Sequence, residues 1–235
     1  MQIAGLQKMT LLDYPGKVAC TVFLPGCNFR CPFCHNSQLL GKDAETVMDD
    51  TALLAFLEKR KGLLDGVCIT GGEPTLQPEL PQLLQKIREL GFAVKLDTNG
   101  YRPDVLSNLL EQGLVDYVAM DVKNGPGSYA TTCGLEHLDL AKIEDSIRLL
   151  LENNVDYELR TTVCTPLHDA QNIQSLAFWL QNLSHKKAKQ LFIQPFVDRD
   201  TVPFAGFRAP DRADLTVFQD ILSAAAEQVT IRGVT

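Results

Sequence analysis

Three cysteines fall within eight residues, in the run Cys27-Asn28-Phe29-Arg30-Cys31-Pro32-Phe33-Cys34. Thiolates this close together suit a soft metal or an iron–sulfur cluster. Structural zinc asks for four ligands, usually as two spaced pairs, and no second pair is present. His35 adjoins Cys34 directly, a poor place for a fourth ligand to the same ion, and Cys20 would have to leave its strand. Three cysteines fit better a cubane cluster with one iron left open, and open coordination marks a catalytic metal site. The plain alternative is three buried small hydrophobes.

Other polar groups of unusual type recur along the chain. They are Gly71-Gly72-Glu73-Pro74, Asp97-Thr98-Asn99-Gly100, Asp121-Val122-Lys123, then Arg160 followed by Thr165, His168 and Asp169, and finally Gln194. Each lies in or just after a short β-branched or apolar run. These runs, at 18–24, 66–70, 93–98, 117–122, 157–163 and 191–196, are predicted strands. Helical patterns alternate with them. The first covers 51–61, capped by Asp50 and stopped by Gly62; the next covers 78–90 and ends at Gly91. A third, 103–112, carries proline in its first turn. The remaining three cover 140–153, 173–183 and 212–228, and 124–129 reads as a Gly/Ser/Pro loop.

Parallel strands need crossover connections, so six strands each followed by a helix imply a parallel sheet. Ligands in such folds sit at the carboxyl ends of the strands, where the polar groups are expected to converge on one mouth. Six units are too few for a closed eight-stranded barrel. The expected fold is α/β, a partial (β/α)6 barrel with an open parallel sheet and outer helices, forming a single domain over 1–235.

The composition, 45% hydrophobic and 22% charged in 235 residues, excludes wholesale disorder, a collagen-like repeat and a coiled coil. Against 22 Lys+Arg stand 29 Asp+Glu, a net charge of −7, which argues against nucleic-acid binding. The basic run Lys186-Lys187-Ala188-Lys189 reads as a solvated helix end. No apolar stretch is long enough to span a membrane, and the first residues lack the features of a signal peptide, so a cytoplasmic location is expected. Seven cysteines are an odd number, and disulfides are not expected. Cys20, Cys68, Cys133 and Cys164 read as core or loop residues, and Phe178, Trp179 and Leu180 as a packed helix face.

Cys-x3-Cys-x2-Cys with an aromatic before the last cysteine, followed after the next strand by Gly71-Gly72-Glu73-Pro74, resembles the radical S-adenosylmethionine superfamily over nearly the whole chain. Asp13-Tyr14-Pro15-Gly16-Lys17, Cys34-His35-Asn36 and Asp97-Thr98-Asn99-Gly100 resemble, more narrowly, the activating enzymes of glycyl-radical proteins. Among those, the chain looks most like activators of anaerobic ribonucleoside-triphosphate reductase, with pyruvate formate-lyase activating enzyme next.

The resemblance implies a [4Fe–4S] cluster on Cys27, Cys31 and Cys34, with S-adenosylmethionine on the open iron. It places Phe33 and His35 along the adenine, and Gly71 and Gly72 against the methionyl amino group, with Glu73 holding the turn. It makes Asn99 part of the cofactor site, and Asp97, Thr98 and Asp121 ligands of a monovalent cation. Lys123 is implied at the ribose or carboxylate, Arg160 in the same pocket, and Asp13 against the incoming glycyl peptide. The implied reaction uses one electron from flavodoxin or ferredoxin to form a 5′-deoxyadenosyl radical, which removes hydrogen from a glycine of the partner enzyme. One departure stands out: the lyase activases carry a histidine after a proline on the last strand, where this chain reads Gln194-Pro195-Phe196-Val197. Two other readings stay open. One is a radical enzyme acting on a small molecule or peptide, such as a carboxy-deazaguanine synthase; the other is a non-catalytic iron–sulfur protein.

Overall fold

The computed structural model describes residues 1–233 and divides into two compact units. The first holds residues 1–28, 38–98 and 104–119; the second holds 29–37, 99–103 and 120 onward.

The first unit begins with β1 (Gln2–Ile3), β2 (Gly5–Thr10) and β3 (Ala19–Leu24). It continues with β4 (Met48–Asp49), α1 (Asp50–Glu58), β5 (Gly66–Gly71), α2 (Leu80–Glu89), β6 (Ala93–Thr98) and α3 (Pro103–Glu111). β3, β5 and β6 pair in parallel, with Leu24 opposite Gly71 and Ile69 opposite Leu96. Their central residues are buried and mostly apolar, as in a parallel sheet covered on both faces, with Lys95 the charged exception. α2 buries Leu80, Leu83, Leu84 and Ile87, the i, i+3, i+4, i+7 stripe of a helix lying on a sheet.

The chain passes into the second unit within β7 (Tyr117–Asp121). There follow α4 (Pro126–Thr132), α5 (Leu140–Glu152), β8 (Asp156–Val163), α6 (Ala170–Leu183), β9 (Ala188–Pro195), α7 (Arg212–Leu222) and β10 (Ala226–Ile231). β8, β9 and β10 are again parallel neighbours, with Thr162 opposite Gln194. α6 starts in a capping box: Asp169 accepts from the Asn172 amide, and the Asn172 side chain accepts from the Asp169 amide. The expected α/β architecture, a parallel sheet with helices packed on it, is present in both units.

Several local expectations are corrected. The cap of α1 is Asp49, which accepts from the Ala52 amide; Asp50 instead pairs with the N-terminal ammonium at 3.0 Å. β2 joins β3 antiparallel, so the sheet is not wholly parallel. The 124–129 segment leads into a helix rather than staying a loop. Pro126 occupies its first turn, and Asn124, fully buried, donates to Thr132 Oγ1 and the Leu167 carbonyl. The last helix stops at Leu222, and the alanine-rich segment beyond it turns into β10. Helix propensity there yields to ladder pairing with β9. Lys186 to Lys189 is not a helix end: α6 stops at Leu183 and the run enters β9. Phe178 is largely exposed, while Trp179 and Leu180 pack inward.

Candidate active site

In the first unit, the polar groups sit at the carboxyl ends of their strands: Gly71 closes β5, and Asp97 and Thr98 close β6. Gly71 has φ of +123°, open to glycine alone, and a Cβ there would collide with the backbone of Leu24. At Gly72 a Cβ would strike the carbonyl of Gly26, next to Cys27. Backbone hydrogen bonds bind the same segments, from the Gly72 amide to the Leu24 carbonyl at 2.9 Å and from the Glu73 amide to the Gly26 carbonyl at 2.8 Å. Glycine is therefore needed to let two chain segments touch. The segment of Cys27 is held from its other side by a hydrogen bond that the Cys27 amide donates to the Leu40 carbonyl.

Glu73 is buried and holds the turn from within. Its Oε1 accepts from the Thr75 amide and hydroxyl and, at 2.8 Å, from the Thr98 hydroxyl. One carboxylate thus ties the end of β5 to the end of β6. Asp97 pairs with Lys95, two residues back on the same face of the strand. Asp13, expected at a peptide substrate, accepts from the Thr21 hydroxyl at 2.6 Å.

In the second unit, Cys31 and Cys34 lie within one turn, the Cys34 amide donating to the Cys31 carbonyl at 3.1 Å. Gly134 has φ of +67° and lies against the Arg30 carbonyl, while the Arg30 amide donates to the Cys133 carbonyl. The end of α4 is thereby fastened to the cysteine loop. A hydrogen bond from Cys133 lowers the Cys31 thiol to about 7; burial opposes it, and the charge of Lys123 helps. Burial raises Cys34, and it pushes Cys164 up to about 12. The sequence places Cys133 and Cys164 as core or loop residues. They are buried, but they lie in the electrostatic neighbourhood of Cys31, which nothing in the cysteine spacing indicates.

Asp121 ends β7 and is doubly engaged. Arg160 Nε donates to its Oδ1 at 2.8 Å and Lys123 Nζ to its Oδ2 at 2.9 Å. Burial pushes this carboxyl up, but the two cations outweigh burial and bring it to about 2. Burial opposes the charge on Lys123 as well, yet Asp121 and then Cys31 raise it above its ordinary value.

His168, one of the polar groups expected at the mouth, is a positioning residue. Its Nε2 donates to the Lys123 carbonyl at 2.8 Å and its Nδ1 accepts from the Cys164 amide at 3.2 Å, fixing the tautomer. Burial lowers its basicity, so it stays neutral while bracing the backbone of Lys123.

Phe33 lies edge-on to His168, Phe196 and Phe207, with centroids 6.1 to 6.5 Å away. His35 stacks on Phe196 at 5.4 Å and donates from Nε2 to the Val197 carbonyl at 2.6 Å. The segment without the expected histidine therefore holds the imidazole of His35 instead. Asn99 accepts from the Tyr101 amide through its side chain, shaping the turn after β6.

The donor set fits an iron–sulfur cluster: Cys27, Cys31 and Cys34 stand outside any disulfide, and the Cys31 thiol is drawn down to about 7. Among the described residues, no three His, Cys, Asp or Glu side chains stand ready-placed as a cage for a single metal ion. A monovalent cation fits less well. Asp97 and Asp121 already face side-chain cations, and the Thr98 hydroxyl is committed to Glu73. No helix among the described residues is long and apolar enough to cross a membrane.

Comparison with known proteins agrees with this geometry. The model of the radical SAM superfamily matches residues 21–180. A protein of Methanocaldococcus jannaschii, assigned by name to the glycyl-radical enzyme activating enzymes, is 35% identical over 74% of this chain and 73% of its own. The pyruvate formate-lyase-activating enzyme of Clostridium pasteurianum is 28% identical over 81% of this chain and 80% of its own. In fold, a domain of pyruvate-formate lyase-activating enzyme from Bacteroides vulgatus superposes with a TM-score of 0.57 at 22% identity, covering 72% of this chain and 99% of that one. With its cysteine motif, its glycine cradle and a family match over more than half its length, this chain belongs to the radical SAM superfamily, whose members hold a [4Fe–4S] cluster on three cysteines and bind S-adenosylmethionine.

Proposed function

We propose that this radical SAM enzyme activates a glycyl-radical enzyme by removing a hydrogen atom from a glycine of that partner. The observation that carries the reading is the similarity to the archaeal relative, which extends over about three quarters of both chains. An anaerobic ribonucleoside-triphosphate reductase is the proposed partner, and flavodoxin or ferredoxin the proposed electron donor.

The cluster and S-adenosylmethionine, when bound and reduced, supply a 5′-deoxyadenosyl radical. The chain's own residues bind and orient. Cys27, Cys31 and Cys34 would ligate three irons. Gly71 and Gly72 keep side chains away where backbone must approach the methionyl amino group, and Glu73 holds that turn through Thr75 and Thr98. Phe33 and His35 would line the adenine, with the His35 ring fixed by Phe196 and Val197. Lys123 and Arg160, both held on Asp121, would face the carboxylate of the cofactor. Asp97, Thr98 and Asn99 complete the cofactor site, and Asp13 would meet the glycyl peptide. Hydrogen transfer needs the reacting carbons about 3–3.5 Å apart, so the role of these residues is placement and exclusion of water.

The test is anaerobic. The reconstituted enzyme is reduced and mixed with S-adenosylmethionine and a candidate anaerobic reductase. The expected result is 5′-deoxyadenosine together with a glycyl-radical signal by electron paramagnetic resonance on the partner. Deoxyadenosine without a protein radical, across candidate glycyl-radical enzymes, would replace this reading with a small-molecule or peptide substrate.

A further inference from the structure

Lys95 is a charged residue in the interior of the first unit, only 2% exposed. Its ammonium contacts the Asp97 carboxylate, the Cys68 sulfur at 3.8 Å and the face of Tyr117, whose centroid is 6.0 Å away. Burying a lysine costs several kcal/mol unless a charge compensates it, and Asp97 is that charge. Lys95 lies two residues before Asp97, so strand alternation puts both on one face of β6. Removing the carboxylate would take away the charge that compensates the buried ammonium.

The same matching holds at Asp121, where Lys123 and Arg160 each take one oxygen. The third oxygen of the expected cation site, the Thr98 hydroxyl, donates to Glu73. A K⁺ or Na⁺ ion is held by oxygens with charge to spare. Here the carboxylate of Asp97 already faces an ammonium built into the same strand.

We propose that Lys95 is the built-in counter-cation of this cofactor site: its ammonium orients Asp97, so that S-adenosylmethionine binds without a monovalent metal ion. Lys95 is in this account a positioning residue, acting through Asp97. The inference rests on the reading of Asp97 as part of the cofactor site.

The test measures S-adenosylmethionine binding by anaerobic calorimetry on the reconstituted protein, at equal ionic strength in KCl, NaCl or tetramethylammonium chloride. The wild-type affinity is expected to be the same in all three salts. Lys95→Met is expected to bind roughly tenfold more weakly in tetramethylammonium, the loss typical of one charged hydrogen bond, and to recover in KCl or NaCl. Lys95→Arg keeps the charge and is expected to stay salt-independent. A wild type that binds only in K⁺ or Na⁺ would overturn the proposal, and this arm needs no variant to fold. A Lys95→Met protein of native thermal stability that binds as the wild type does in every salt would overturn it equally. Wild-type protein that carries its cluster but binds no S-adenosylmethionine in any salt would overturn the cofactor-site reading itself, and this inference with it.

Discussion

Arg160 Nε and Asp121 Oδ1 are 2.8 Å apart, brought together because β7 runs beside β8 and the Val122 amide donates to the Arg160 carbonyl. Lys123 completes the arrangement on the other carboxylate oxygen. Arg160→Met removes the charged donor from Asp121 Oδ1 while Lys123 still answers the carboxylate charge, and is expected to cost about 2 kcal/mol, the range of a hydrogen bond to a charged group. Chemical denaturation of the two proteins checks it; a difference under a few tenths of a kcal/mol would show that the pair carries no stability.

The same pair sets an acid limb. The Asp121 carboxyl is held at about 2 in the fold, below its ordinary 3.8. A depressed carboxylate adds stability above its unfolded value and loses it as the pH falls toward the folded one. Wild-type protein is therefore expected to lose on the order of 2 kcal/mol between about pH 4 and pH 2. Asp121→Asn should lack that part of the slope. Urea unfolding of both apo proteins across this range reads it, and parallel slopes would count against Asp121 as the titrating group.

Cys31 titrates near 7 in the apo protein, drawn down mainly by Cys133 and assisted by Lys123. Only thiolates bind iron, so the sign is set: anaerobic cluster assembly should be fast above about pH 7 and slow below it. Cys133→Ala removes the sulfur hydrogen bond and should move the midpoint of the rate profile upward, while Cys31→Ala should end assembly and leave the chain soluble. An unmoved midpoint in Cys133→Ala would show that the neighbouring thiol does not tune Cys31.

Gly72→Ala puts a methyl group into the Gly26 carbonyl, beside the first cysteine of the motif. The backbones must separate, so weaker S-adenosylmethionine binding by at least about tenfold is expected, with a cost of about 1–3 kcal/mol from overpacking. Calorimetry and thermal melting read the two effects. Native binding in the alanine variant would mean that the cradle has slack.

Glu73→Ala strips the acceptor from the Thr75 amide and from the hydroxyls of Thr75 and Thr98. Buried donors left unpaired cost about 1–3 kcal/mol each, so a loss of about 3 kcal/mol is expected after partial relaxation. Glu73→Gln keeps one acceptor oxygen and should lose less. Equal losses would assign the effect to the carboxylate charge, because glutamine keeps both the volume and an acceptor oxygen.

The sequence by itself determined the chemistry and its address. Cys27, Cys31 and Cys34 are close in the chain, so their relation needs no fold to be seen. Strands such as Ala93–Thr98 announce themselves by apolar runs, and parallel pairing places their final residues, Gly71, Asp97 and Asp121, at the ligand-binding ends. What it left undecided were the partners. Lys95 and Asp97 share a face by alternation, but only packing shows that Lys95 is buried, because burial depends on Cys68 and Tyr117 from other strands. Cys133, His168 and Val197 come to Cys31, Lys123 and His35 from 45 to 162 residues away where the hydrogen bonds fix the distance in chain. β10 was hidden for a related reason. The alanines that lead into it, Ala224 to Ala226, favour helix locally, and the ladder with β9 outweighs that preference only once β9 is in place. Local chemistry is written in residue type and spacing; charge balance and hydrogen-bond satisfaction are settled by neighbours that meet only when the chain has folded.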